Sequence, residues 1–286
     1  MLSTFFSSFP RNVSRLLATM LGIANCLPSF AQDSQRIFSQ DRESNDAFKL
    51  SKESLDRSPP NPWLLDAPPR LARLIDRGNV RIVGDQAAVD AAGRTALTIF
   101  TFSLEYRMRF RMSELPRDKA GTRSMQIAVS YFEVKSDVFH KVLLSNRFQP
   151  LKPWESALLQ HEFDHVAIST DPRMFAILRS LNGTKATLMR SLEAGIKVTD
   201  AWAKDEIETS VKELQQAVES LVRHYYVELD RVSSNGLVAI EDRNRFFLDL
   251  FSEENLARNQ FAYFEQAQKN LKAIEVEDLQ KHYGLP

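Results

Sequence analysis

The segment His161-Glu162-Phe163-Asp164-His165 constrains this chain more than any other. On a helix, residues four apart share a face, so both imidazoles can point at one ion. The Glu beside the first ring then stands where a metal-bound water would sit. The flanking residues predict such a helix. Pro153 can take its first position. Trp154, Leu158, His161, His165 and Ile168 recur in steps of four and three, and Leu159, Phe163 and Val166 form a second apolar strip. Only Ser156, Gln160 and Asp164 make a polar line, so the helix is expected to be buried on most sides. A buried carboxylate between two imidazoles is costly unless it is neutralised, and a divalent cation would do that.

The chain carries 37 basic and 37 acidic residues, a balance that argues against a nucleic-acid or polyanion binder. Residues 1–31 differ from the rest. Arg11 and Arg15 are their only charges, Leu16–Leu27 is an apolar run, and Ser29-Phe30-Ala31 fits a small-x-small cleavage rule before Gln32. This reads as a secretory signal peptide, too short to span a membrane, and predicts a periplasmic or secreted protein. Cys26, the only cysteine, falls inside that leader, so the exported chain would carry neither thiol nor disulfide. The alternative is lipid anchoring through Cys26, with Asn25 standing where a small residue is usual. No other segment is long and apolar enough to span a membrane.

Residues 32–67 are polar and end in Pro59-Pro60-Asn61-Pro62, which reads as a flexible tether. A single domain is expected over 68–286. Its strands fall at about 79–145. Phe100, Phe102, Leu104, Tyr106, Met108, Phe110 and Met112 alternate with polar residues, a strand with one packed face. Arg107, Arg109 and Arg111 read as its solvated face. Asp118 and Gly121 mark a hairpin turn, Met125–Tyr131 resume the alternation, and Val138–Ser145 is expected as a further strand whose free edge could pair with a peptide.

Helices follow over about 153–283. Asp171-Pro172 starts one and Asn182-Gly183 closes it; a long helical stretch is expected from about Thr184 to Val232, ended by Asn235-Gly236. The fold class is therefore α+β: an antiparallel strand-rich half packed on a mainly helical half that carries the His161–His165 helix, a zincin-like arrangement.

A catalytic zinc site takes three protein ligands and leaves one position for water. A third ligand at Asp171 would need a sharp turn at Ile168, which a β-branched residue resists. A gluzincin-like site takes its carboxylate from a later helix. Glu228 borders the apolar stripe Ile207, Val211, Leu214, Val218, Leu221, Tyr225, Leu229, Val232 and is the first choice; Asp230 is its rival.

Gln160-His161-Glu162-x-x-His165-x-x-Ile168, preceded by a strand-rich region and Pro153-Trp154, resembles a family of exported bacterial proteins predicted from this motif to be zinc-dependent proteases. Similar members carry a later Tyr-Asp-x-x-Thr-x-His-Gly segment. Here the residues are Leu229-Asp230-Arg231-Val232-Ser233-Ser234-Asn235-Gly236. Asp230 and Gly236 match; Leu229, Ser233 and Asn235 depart. The resemblance covers roughly 80–240 and raises Asp230 as a rival to Glu228 for the third ligand.

The expectation is an exported Zn²⁺-dependent peptidase acting on a peptide or protein, with His161 and His165 as ligands and Glu162 as general base. Tyr225, Tyr226 and His224 are candidates to stabilise an oxyanion. Two other readings stand beside it: a metal-binding, non-catalytic partner in the cell envelope, and a helical interaction module with purely structural histidines.

Overall fold

The computed structural model describes residues 36–38, 66–193 and 195–285, all within the unit Gln32–Pro286. The expected leader, with Cys26, and most of the expected tether lie outside the described residues. Strand β1 (Arg36–Phe38), helix α1 (Pro69–Arg77), strand β2 (Val80–Gly84) and helix α2 (Gln86–Ala91) come before two long strands, β3 (Ala96–Leu115) and β4 (Arg123–Leu144). Helices α3 (Ala157–Ser169) and α4 (Pro172–Arg179), strand β5 (Lys185–Leu192) and helix α5 (Asp200–Ser233) follow. The described chain closes with α6 (Arg243–Asp249), α7 (Glu253–Arg258), α8 (Phe264–Leu271) and α9 (Val276–Tyr283). This is an α+β fold.

The sheet has five strands in the order β1-β3-β4-β2, with β5 also on β4. It is mixed rather than wholly antiparallel, because β2 runs parallel to β4, Val80 to His140 through Gly84 to Leu144. The β3–β4 hairpin turns where Asp118 and Gly121 predict it. Asp118 Oδ1 accepts the N–H groups of Ala120 and Thr122 at 2.9 and 2.8 Å, and Gly121 takes φ 79°.

Three sequence expectations about strands are corrected. Met125–Tyr131 and Val138–Ser145 belong to one strand. A bulge lets Tyr106 face both Glu133 and Val134, with Glu133 at φ 53°, and moves the buried set from odd to even positions. The 138–145 segment is also no free edge, since β3 and β2 flank it. Lys185–Leu192, expected as helix, is a strand on Arg123–Ser130; its half-buried and exposed residues alternate with period two. The long helix therefore starts at Asp200, where Thr199 caps it by accepting from Trp202 N–H.

Even-numbered residues of β3 and the inward residues of β4 form a floor on which α3 and α5 pack. Phe102, Leu104, Ile127, Val138, Phe163, Val166, Ile207, Val218 and Leu229 are all 4% exposed or less. Each such side chain contributes about 1.5–3 kcal/mol on leaving water. Odd residues of β3 face solvent: Arg107 pairs with exposed Glu133, and Arg109 lies over Phe132. Ten of the 13 residues of α3 are buried. One departs from expectation. Asp164, in the predicted polar line, is buried and accepts from Arg70 and Arg243. Pro153–Glu155 forms a separate 3₁₀ turn, and α3 starts at Ala157. Among the described residues no helix is long and apolar enough to cross a membrane.

Candidate metal centre

Helix α3 presents His161 and His165 one turn apart, with ring centroids 4.7 Å from each other. Both Nε2 atoms lie 3.0 Å from the same atom, Asp230 Oδ1 on α5. The three donors fall within 4.8 Å of one another. Tetrahedral zinc with bonds of about 2.0–2.2 Å separates its ligand atoms by roughly 3.3 Å. The observed spacing fits such an ion, and two imidazoles with one carboxylate suit zinc while leaving a fourth position for water.

Asp230 rather than Glu228 meets the imidazoles, and the helix geometry explains this. Two residues apart on a helix means nearly opposite faces. Val222, Tyr226, Asp230 and Ser233 step by four, four and three along α5, a second inward row beside the apolar stripe. Glu228 instead accepts from its neighbour Arg231 at 2.9 Å and lines a different cleft with His224, Tyr225 and Asp242. Asp171 is also accounted for elsewhere. It is fully buried, caps α4 by accepting from Arg173 N–H at 2.7 Å, and takes both Arg173 and the Tyr283 hydroxyl.

The chain around Asp230 fixes its orientation. Arg94, from the turn between α2 and β3, donates to Oδ2 at 2.7 Å and leaves Oδ1 to the imidazoles. Burial alone would raise the Asp230 carboxyl. The hydrogen bonds from His161, His165 and Arg94 outweigh that and hold it well below the ordinary carboxylate range. It stays ionised, the form in which a carboxylate can hold a metal.

The end of α5 supports His161 from behind. Ser234, Asn235 and Gly236 take φ 48°, 56° and 80°, a left-handed run that folds the chain back onto α3. A Cβ on Gly236 would lie 2.7 Å from His161 Cβ. Ser233 Oγ stands 3.3 Å from His161 Nδ1, donates to Leu229 O at 2.7 Å and accepts from Gly236 N–H at 3.1 Å. A hydroxyl so engaged can accept from a protonated Nδ1, the tautomer that frees Nε2 for a metal. Asn235 carries backbone only to this arrangement, donating its N–H to Asp230 O at 2.8 Å.

Glu162 is 3% exposed, and its Oε2 accepts from the Thr98 hydroxyl of β3 at 2.6 Å. Tyr226 lies against His165, ring centroids 4.4 Å apart, and donates to Ser169 Oγ at 2.9 Å. Burial, then the nearby Glu162 carboxylate, push its phenol well up. His140 completes this row. Its Nδ1–H donates to Gly78 O at 2.6 Å, so Nε2 accepts from Ser169. Of the three proposed oxyanion donors, Tyr226 adjoins the rings, whereas His224 and Tyr225 line the Glu228 cleft. His165 Nδ1 is buried without a partner among the described residues.

Arg94, Thr98, Ser233, Ser169 and His140 were not foreseen. Thr98 had a visible signal, a hydroxyl at an inward position of an otherwise apolar β3 face. No family model, curated protein or solved structure matches the chain.

Proposed function

We propose that this protein is a zinc-dependent peptidase with His161, His165 and Asp230 as metal ligands and Glu162 as general base. One observation carries the reading: two buried imidazoles of one helix and a half-buried carboxylate of another converge on one point, with Glu162 next in sequence to the first ring. Zinc held there would bring a water whose pKa falls towards neutrality and a charge that polarises a carbonyl.

The remaining chemistry belongs to side chains. Thr98 occupies Glu162 Oε2 and leaves Oε1 to take a proton from water and hand it to the leaving amine. Arg94 keeps Asp230 from rotating, so the ligand oxygen stays aimed at the rings. Tyr226 lies beside His165 and would reach a developing oxyanion by leaving Ser169. Among the described residues no strand pairs with Ala96–Leu104 on the side of β3 away from β4. A peptide pairing there would lie alongside Thr98, whose hydroxyl holds Glu162.

A second reading, a metal site that holds the fold without hydrolysis, is favoured by exposure. His161 and His165 are 6% and 3% exposed. Catalysis therefore requires the Ser234–Gly236 turn or the Arg94 side chain to move aside for a substrate. Glu162→Gln separates the two readings. On the peptidase reading it keeps stoichiometric zinc and loses hydrolysis of a responsive peptide by about a hundredfold or more. Equal hydrolysis by parent and variant would remove Glu162 as base; zinc with no hydrolysis by the parent would favour the second reading.

A further inference from the structure

A cleft of about 400 Å³ lies between α1 and α9, and its walls hold none of the three candidate ligands. Four cations line it, Arg70, Arg73, Arg77 and Lys281, against one carboxylate, Asp278. The chain as a whole has a formal net charge of zero, so the concentration is local. Arg70, Arg73 and Arg77 sit at spacings of three and four on α1, which puts them on one side of that helix.

An exposed row of arginines is ordinarily just solvated, or neutralised by neighbouring carboxylates. Here the cations line a concave, partly apolar space together with Leu74, Pro172 and Ile274. Arg70 is committed to Asp164. Among the described residues, no carboxylate lies within ion-pair distance of Arg73, Arg77 or Lys281. Arg77 stacks on the Phe175 ring at 5.3 Å, and Arg179 takes the same ring at 5.4 Å, so two like charges share one apolar surface.

His282 reports on the same field. Its Nε2–H donates to Ala167 O at 2.8 Å, which leaves Nδ1 as the ring's free nitrogen. Burial first, with Arg77 and Arg70 adding to it, lowers its pKa to about 4 against the opposing pull of Asp171 and Ala167 O. An anion in the cleft would offset the crowded guanidinium charge and raise the pKa of this imidazole.

We propose that this cleft binds a small multivalent anion, a phosphate-bearing molecule or a polycarboxylate, gripped by Arg73, Arg77 and Lys281 with Arg70 beside them. Planar guanidiniums offer paired N–H groups that match two oxygens of either ligand type, and a partly desolvated cleft strengthens each contact. The site is independent of the metal centre and of any peptidase activity.

Calorimetric titration of the full chain, freed of metal on a chelating resin and held at constant ionic strength, tests this with pyrophosphate and citrate as probes. One saturable site is expected for at least one probe, and which probe binds more tightly identifies phosphate or carboxylate as the preferred group. Arg73→Gln/Arg77→Gln and, separately, Lys281→Gln should each weaken binding by about tenfold or more. Arg111→Gln, on the solvated face of β3, should leave it unchanged. The His282 ring signals should move in step with saturation. No saturable binding of either probe, equal binding by the Arg73/Arg77 variant, or an unmoved His282 would overturn the proposal.

Discussion

Gly236 is pressed against His161 so closely that a methyl group on its Cα would stand 2.7 Å from the histidine Cβ and 2.8 Å from Cγ. Its φ of 80° is also one that a side chain resists. Gly236→Ala is therefore expected to lose about 2 kcal/mol of stability and to displace the His161 ring. Denaturant unfolding together with zinc titration checks this. The variant should bind zinc at least tenfold more weakly than the parent; unchanged affinity would mean that the turn does not set the ring.

Arg94 touches Asp230 but neither imidazole. Its side chain is 37% exposed, so removing the ion pair should cost less than about 1 kcal/mol of stability. Its effect on the metal should be larger, since a partner that orients a ligand is worth about 10–100-fold in affinity. Competitive zinc titration of Arg94→Ala measures this, and thermal unfolding of the metal-free variant separates it from a folding defect.

Glu228 provides the matching control. Its carboxylate forms an intrahelical pair with Arg231, whose side chain is 68% exposed. Glu228→Gln should leave zinc affinity and any hydrolysis within about twofold of the parent, because a solvent-facing pair contributes little. A large loss of zinc would restore Glu228 as the third ligand.

Two buried imidazoles, His140 and His282, should make the fold less stable in acid. Burial lowers the pKa of His140 and of His282 to about 4, against an ordinary value of 6.5. Above pH 6.5 both are neutral, folded or unfolded. Between pH 6.5 and 4 the unfolded chain takes up the protons and the folded chain does not, so stability falls with pH. The loss should reach about 3 kcal/mol per histidine near pH 4. Urea midpoints of metal-free protein at pH 7, 5.5 and 4.5 test this, and His140→Gln should flatten the curve.

Much of this fold could be read from local patterns. The alternation of β3, the hairpin turn at Asp118 and Gly121, the Asp171 cap and the burial of α3 follow from spacing and side-chain chemistry. The misreadings arose where the pattern changed phase or the answer lay across the chain. A bulge at Glu133 split β4 into two expected strands. The parallel partner of His140–Leu144 is β2, more than fifty residues earlier, and no local signal sets that pairing. The apolar stripe on α5 pointed to one face, whereas Val222, Tyr226 and Asp230 occupy a second inward row against α3. The resemblance in the segment Leu229–Gly236 indicated Asp230, where stripe reasoning alone preferred Glu228.

The most direct test of the metal centre is anomalous diffraction at the zinc edge from crystals of the zinc-loaded protein. One peak is predicted between the two α3 imidazoles and α5, about 2.0–2.2 Å from His161 Nε2, His165 Nε2 and Asp230 Oδ1. An ion bound anywhere else, or no ion at those three atoms at saturating zinc, would contradict it.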